Sequence, residues 1–226
     1  MNNKMKLLAL ANAVLIVLVG VETFALAMMI TESSQPSPIR VACVGDSITA
    51  GSEYSVDLWL LLGSNYEVGN FGDSGATVSL SSNNPYMNTP AFQAADQFKP
   101  NIVIIMLGTN DAHTTLEENS ATFVNDYVKL IIHFQELATK PKMWIAKSPP
   151  IFNNNASLST EYFMNNVIPS IDQVASKTDV PVIDVYTPLA NHPDYFPDGI
   201  HPCNDGARII ANSIYNAING QSSRTT

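Results

Sequence analysis

Asp198 and His201 stand three residues apart in FPDGIHP (196–202), and the chain holds 4 histidines in all. A carboxylate on the same loop can fix the tautomer of an imidazole and stabilise the imidazolium that forms when it takes a proton. Gly199 lets such a loop turn tightly, and Pro202 stiffens the chain behind it. A base held in this way can activate a serine hydroxyl, which is a weak nucleophile alone. Ser47, in GDSITAG (45–51), is the matching hydroxyl. Together the three residue types point to acyl transfer through a covalent serine intermediate. That chemistry also needs N–H groups aimed at the developing oxyanion. The Ser47 backbone is one source and the Asn110 side chain, in GTNDAH (108–113), is another. A third is a glycine in NFGDSGAT (70–77), where either Gly72 or Gly75 would let backbone approach a substrate.

Each residue also has a plainer reading. Ser47 and Asn110 could each cap a following helix, and His201 could be an ordinary loop histidine. Asp46 and Asp111 read as ties between loops, through hydrogen bonds to backbone N–H groups. His113 lies near the same stretches but is not expected to act in catalysis, and His133 reads as a plain helix residue. The spacing of His192, Asp194, Asp198 and His201 matches no zinc motif. No glycine-rich nucleotide fingerprint is present. Neither a metal nor a cofactor is therefore expected.

The catalytic reading gains weight from the elements that would hold these residues. Short apolar runs at 39–44, 66–71, 101–107, 142–148 and 180–186 read as strands. The run NIVIIML (101–107) has the continuous apolar character of a strand buried on both faces. Helical patterns fall at about 55–62, 90–98, 116–138, 160–177 and 204–219. In the last of these Ala207, Ile210, Ile214, Ala217 and Ile218 share one face, and Gly220 reads as its stop. Alternating strands and helices predict a parallel sheet covered on both sides. Such sheets bind ligands at the carboxyl ends of their strands. All four polar stretches follow strands, so all four should meet on one rim.

Residues 1–30 stand apart. Lys4 and Lys6 precede an apolar run, and Ala25–Ala27 has the form of a cleavage site. The run 7–30 is also long enough for a membrane anchor, although Glu22 would be costly there. Either way the rest of the chain is expected outside the cytoplasm. Residues 31–38 read as a linker, 39–220 as the folded domain and 221–226 as a disordered tail. The net charge of -9 argues against nucleic acid and anionic membrane surfaces as electrostatic partners. Cys43 and Cys203 form no CxxC pair; unpaired thiols are the ordinary expectation, and a disulfide between them stays open for an exported chain.

The set VGDSITAG, NFGDSGAT, IIMLGTNDAH and FPDGIHP resembles the GDSL esterases, also called SGNH hydrolases, across residues 39–219 and in family order. The resemblance implies a three-layer α/β/α sandwich with a five-stranded parallel sheet. It implies Ser47 as nucleophile, His201 as base and Asp198 as its orienter. It implies Gly75 and Asn110 as oxyanion donors beside the Ser47 N–H, because the family's glycine lies five residues after the asparagine of its block, here Asn70. Gly72 then reads as a turn glycine. NNPYMNTPAFQAADQFKPNIVIIMLGTNDA and VIDVYTPLANHPDYFPDGIHP are similar, more narrowly, to sialate-type carbohydrate O-acetylesterases. An exported esterase for short acyl groups on a carbohydrate is the implied function. A lysophospholipase or other lipid esterase, an O-acyltransferase and a noncatalytic carbohydrate-binding surface protein stay open. Two polar stretches, 79–89 and 152–159, are expected at the rim, with Tyr86 and Phe152 as faces for stacking on a sugar.

Overall fold

The structure is a computed structural model and describes residues 2–32, 37–113 and 120–222. Met1–Ser37 and Pro38–Thr226 form separate compact units. In the first, α1 runs Asn3–Glu32, so the expected linker begins two residues later than its composition suggested. Residues 33–36 of that linker lie outside the described residues. Among the described residues no helix is long and apolar enough to cross a membrane, and several side chains of the apolar run 7–30 lie outside that description.

The second unit is built on five parallel strands: β1 (Ile39–Gly45), β2 (Tyr66–Gly72), β3 (Ile102–Met106), β4 (Lys142–Ala146) and β5 (Val182–Ile183). Their spatial order is β2-β1-β3-β4-β5. Side chains alternate across a strand, and the core divides accordingly. Ala42, Val44, Val103, Ile105, Met143 and Ile145 face one side of the sheet. Val41, Cys43, Ile102, Ile104, Met106, Trp144 and Ala146 face the other.

On the first side lie α4 (Pro90–Gln97), α5 (Ser120–Glu136) and α7 (Ile168–Thr178). They contribute Phe92, Tyr127, Leu130, Phe134, Ile171 and Val174. On the second side lie α3 (Tyr54–Leu62), the short α8 (Tyr186–Leu189) and α9 (Asn204–Ser222). They contribute Tyr54, Leu58, Leu189, Ala207, Ile210, Ile214 and Ile218. Burying an aliphatic or aromatic side chain of this size contributes about 1.5–3 kcal/mol. The two packed faces make the expected three layers.

Several elements depart from the sequence reading. β5 is only two residues long. Pro181 brings no N–H to the ladder, and the Asp184 carboxylate accepts the Thr187 N–H at 2.9 Å, turning the chain into α8. α9 passes through Gly220 to Ser222, into the expected tail, and residues 223–226 of that tail lie outside the described ones. A Cβ on Gly220 would meet nothing within 4 Å, and a lone glycine costs a helix only about 1 kcal/mol. α5 begins at Ser120, and residues 116–119 of the expected helix lie outside the described ones. His133 does more than fill a helix. Its Nε2 lies 2.8 Å from Asp96 Oδ2 and its ring packs on Phe92, tying α5 to α4. Tyr86, expected as a sugar platform, is buried at 1% exposure. Its ring packs edge-on against Phe92 and its hydroxyl donates to Phe71 O at 2.7 Å.

Candidate active site

The order β2-β1-β3 reverses direction at β1, and in a doubly wound sheet the ligand crevice opens at such a switch. The chain leaving β1 turns at once into α2 (Ser47–Gly51). The Asp46 carboxylate caps that turn by accepting the Ile48 N–H at 2.9 Å. The Asn70 amide donates to Thr49 O at 2.6 Å, fastening α2 to the end of β2. Gly72 is not a turn glycine. It ends β2, and a Cβ there would stand 2.2 Å from Ala50 N, so it lets β2 lie against α2.

The structure brings Ser47, His201 and Asp198 into one line. His201 Nε2 lies 2.8 Å from Ser47 Oγ, across 154 residues of chain. His201 Nδ1 lies 2.6 Å from Asp198 Oδ2. An ionised carboxylate only accepts, which assigns the proton to Nδ1 and leaves Nε2 to accept from the serine. Asp198 Oδ1 accepts the backbone N–H groups of Ile200 and His201 at 2.9 and 2.7 Å. Partial burial pushes the Asp198 pKa up, but these N–H groups and the His201 ring overcome it and hold the carboxyl at about 2. The His201 and Asp198 side chains are 45% and 56% exposed, so the site is an open rim that water reaches.

The candidate donors Gly75 and Asn110 follow β2 and β3, the two strands that flank β1, and border one recess. Among the described residues no backbone acceptor takes the Ser47 or Gly75 N–H. Gly75 sits at φ +80, a conformation that L side chains rarely adopt, and it lies on a turn held by the Asn84 amide. Asn110 begins a short turn after β3 and donates one amide hydrogen to Ala76 O at 3.0 Å. Its second amide hydrogen stays available for a ligand. The side chain does not cap a helix. Gly75, Asn83, Asn84, Asn110, His113 and Leu158 border a recess of about 300 Å³, at the small end for a ligand site. Two larger recesses, of about 390 and 420 Å³, flank Trp59 but hold none of the candidate residues. The chemistry, not the volume, selects the first.

Asp46 and Asp111 are loop ties, as their positions suggested. Asp111 accepts the N–H groups of Val78 and Ser79, both at 2.9 Å, holding the stretch behind Gly75 against β3. Burial pushes Asp46 up to about 6, opposed by the Ile48 N–H, Thr109 and the His201 charge. The Thr109 hydroxyl acts on Asp46 from outside good hydrogen-bond geometry, since both Asp46 Oδ2 and Thr109 Oγ1 lack a well-placed partner. Burial likewise pushes Asp111 to about 7, against its two N–H donors and with the Asp46 charge adding to the rise. A native carboxyl raised above the unfolded value of about 3.9 binds more protons than the unfolded chain does. The stability from these two residues is therefore complete below about pH 4 and lost as pH climbs through 6 to 7. Urea midpoints should be higher at pH 5 than at pH 7.5; an equal or rising midpoint would remove the buried pair as the controlling groups.

Asn84 and Thr109 were not singled out in the sequence, and no local pattern distinguishes them from other loop polar residues. Cys43 and Cys203 are both free thiols. Burial pushes the Cys43 thiol up to about 12, which keeps it inert.

Comparison with known proteins gives the family and the fold. The GDSL-like Lipase/Acylhydrolase family matches residues 43–209. A protein named acetylxylan esterase, from Xylanibacter ruminicola, is 32% identical over 215 residues, covering 82% of this chain and 45% of its own. The Arabidopsis thaliana GDSL esterase/lipase CPRD49 is 23% identical over 144 residues, covering 53% of this chain and 55% of its own. The chain thus spans about half the length of these relatives. A carbohydrate acetylesterase from Sinorhizobium meliloti shares the fold at a TM-score of 0.66 and 20% identity, covering 80% of this chain and 99% of that one. The inhibitor-bound M. smegmatis aryl esterase does so at 0.66 and 18%, covering 80% and 98%.

Proposed function

The chain belongs to the GDSL-like lipase/acylhydrolase family, and from that premise we propose that it is a serine esterase removing short acyl groups, acetyl above all, from a carbohydrate. The observation that carries this reading is the unbroken contact from Ser47 Oγ through His201 to Asp198. His201 Nε2 takes the hydroxyl proton as Ser47 Oγ attacks the ester carbonyl. The oxyanion is met by the Ser47 and Gly75 N–H groups and by the free amide hydrogen of Asn110. Collapse expels the sugar oxygen, which receives the proton back from His201. Water, activated by the same imidazole, then attacks the acyl-serine and releases the carboxylic acid. Asp198 holds the ring and stabilises its cationic form throughout.

Three features favour a short acyl group on a sugar. The recess beside the oxyanion donors is small, and Asn83, Asn84 and Asn110 on its border offer amides to a sugar. The names of two similar proteins, an acetylxylan esterase and a carbohydrate acetylesterase, describe such substrates. The net charge of -9 gives no attraction to anionic lipid. Each further methylene could contribute about 0.8 kcal/mol only where an apolar groove receives it. On p-nitrophenyl esters, kcat/KM should peak at acetyl or propionyl and fall beyond butyryl. An optimum at octanoyl or longer would replace this substrate class with a lipid one. We further read residues 1–30 as an export signal or anchor; an intact N-terminus on a cytoplasmic protein would refute both.

A further inference from the structure

The loop Phe152–Ser159 touches both halves of the site. At one end the Phe152 N–H donates to Gly199 O at 2.8 Å. Gly199, at φ +81, packs so closely that a Cβ there would stand 2.2 Å from Asn153 O. Gly199 is the neighbour of Asp198 and lies two residues before His201. At the other end the Ser159 N–H donates to Ala112 O at 2.8 Å, and Leu158 pairs with His113 as an isolated antiparallel bridge. Ala112 closes the turn that Asn110 begins. The loop therefore joins the acid–base side to the oxyanion side.

Between these anchors the loop has no helix or strand, and its shape comes from Asn154. The Asn154 amide donates to Phe152 O at 3.1 Å and Leu158 O at 3.2 Å. Its Oδ1 accepts the N–H groups of Ala156 and Leu158 at 3.0 and 3.4 Å. Both donors and both lone pairs of the side chain are thus spent inside its own loop. Ser157 is held at φ +56, a left-handed conformation uncommon for serine, which persists where surrounding bonds over-determine it.

We propose that Asn154 is a positioning residue for the esterase reaction, setting the distance between the His201 base and the Asn110 donor through the loop it folds. This rests on the esterase reading above. The bonds explain why: without them Phe152 and Ser159 keep their anchors but lose the fixed span between them. A displacement near 1 Å can cost up to about 100-fold in rate. Asn154→Ala should lower kcat on p-nitrophenyl acetate by about 10- to 100-fold with KM within about twofold, the signature of a group needed in the transition state. Asn154→Asp keeps the acceptors, loses both donors and should fall between. Circular dichroism establishes folding, and if the alanine variant fails to fold the aspartate variant decides. A wild-type kcat with only a lower Tm would overturn the proposal, as would a raised KM at unchanged kcat. Ser47→Ala in the same assay separates this from failure of the esterase reading, which would appear as wild-type turnover that does not depend on Ser47.

Discussion

Ser47→Ala and His201→Ala should each lose about 10⁴- to 10⁶-fold in kcat, and the double variant should lose no more than either alone, because the two act as one unit. The geometry sets this expectation. Ser47 Oγ has His201 Nε2 at 2.8 Å as its base, and without the ring the hydroxyl loses that proton acceptor. Neither change should unfold the protein, since the His201 side chain is 45% exposed and surface substitutions usually stay within about 0.5 kcal/mol. Asp198→Asn tests the same unit differently. An asparagine can still accept the Ile200 and His201 N–H groups with its oxygen. It would present N–H to Nδ1, however, and move the ring proton to Nε2, where it blocks the serine. A fall of up to about 10⁴-fold is then expected in a folded enzyme. Single-turnover and steady-state rates on p-nitrophenyl acetate, with circular dichroism on each variant, measure all of this. Full turnover by His201→Ala would end the Ser47–His201–Asp198 reading.

Asn110→Ala should cost about 10²–10³ in kcat, or roughly 2.7–4 kcal/mol of transition-state stabilisation, with KM little changed. The ground-state carbonyl gains little from the amide; the tetrahedral oxyanion gains much more, so the loss falls on kcat. The same substitution also removes the bond to Ala76 O, a brace between the turn after β3 and the turn that carries Gly75. Losing that brace should cost about 0.5–1.5 kcal/mol of stability. The two roles separate experimentally. A lower Tm with unchanged kcat would leave Asn110 as a brace alone, whereas the proposed role requires the rate to fall well below the melting range.

The strands and the polar stretches behind them were legible because their signals are local. Short continuous apolar runs marked strands covered on both faces, and Ala207, Ile210 and Ile214 marked the buried face of α9 at helical spacing. The Asp198–His201 contact spans three residues, so sequence alone brings the pair together. The Ser47–His201 contact spans 154, and only the placing of β1 beside β3 and the packing of α9 beneath the catalytic loop make it.

Tertiary packing likewise decided what no single stretch could. Tyr86 looked like a rim aromatic, yet its hydroxyl had a partner in Phe71 O and its ring a place against Phe92, so burial won. The residues around Gly72 and Gly75 left either as a donor, and only the family resemblance chose Gly75 and made Gly72 a turn glycine. The structure shows what Gly72 does instead: it meets Ala50 across a gap too narrow for a Cβ, whereas Gly75 bends at φ +80, with Asn84 Nδ2 3.9 Å from where a Cβ would stand. Asn154 and Asn84 were two asparagines among many. Amide side chains take their roles from the backbone groups within reach, and chain geometry alone sets which groups those are.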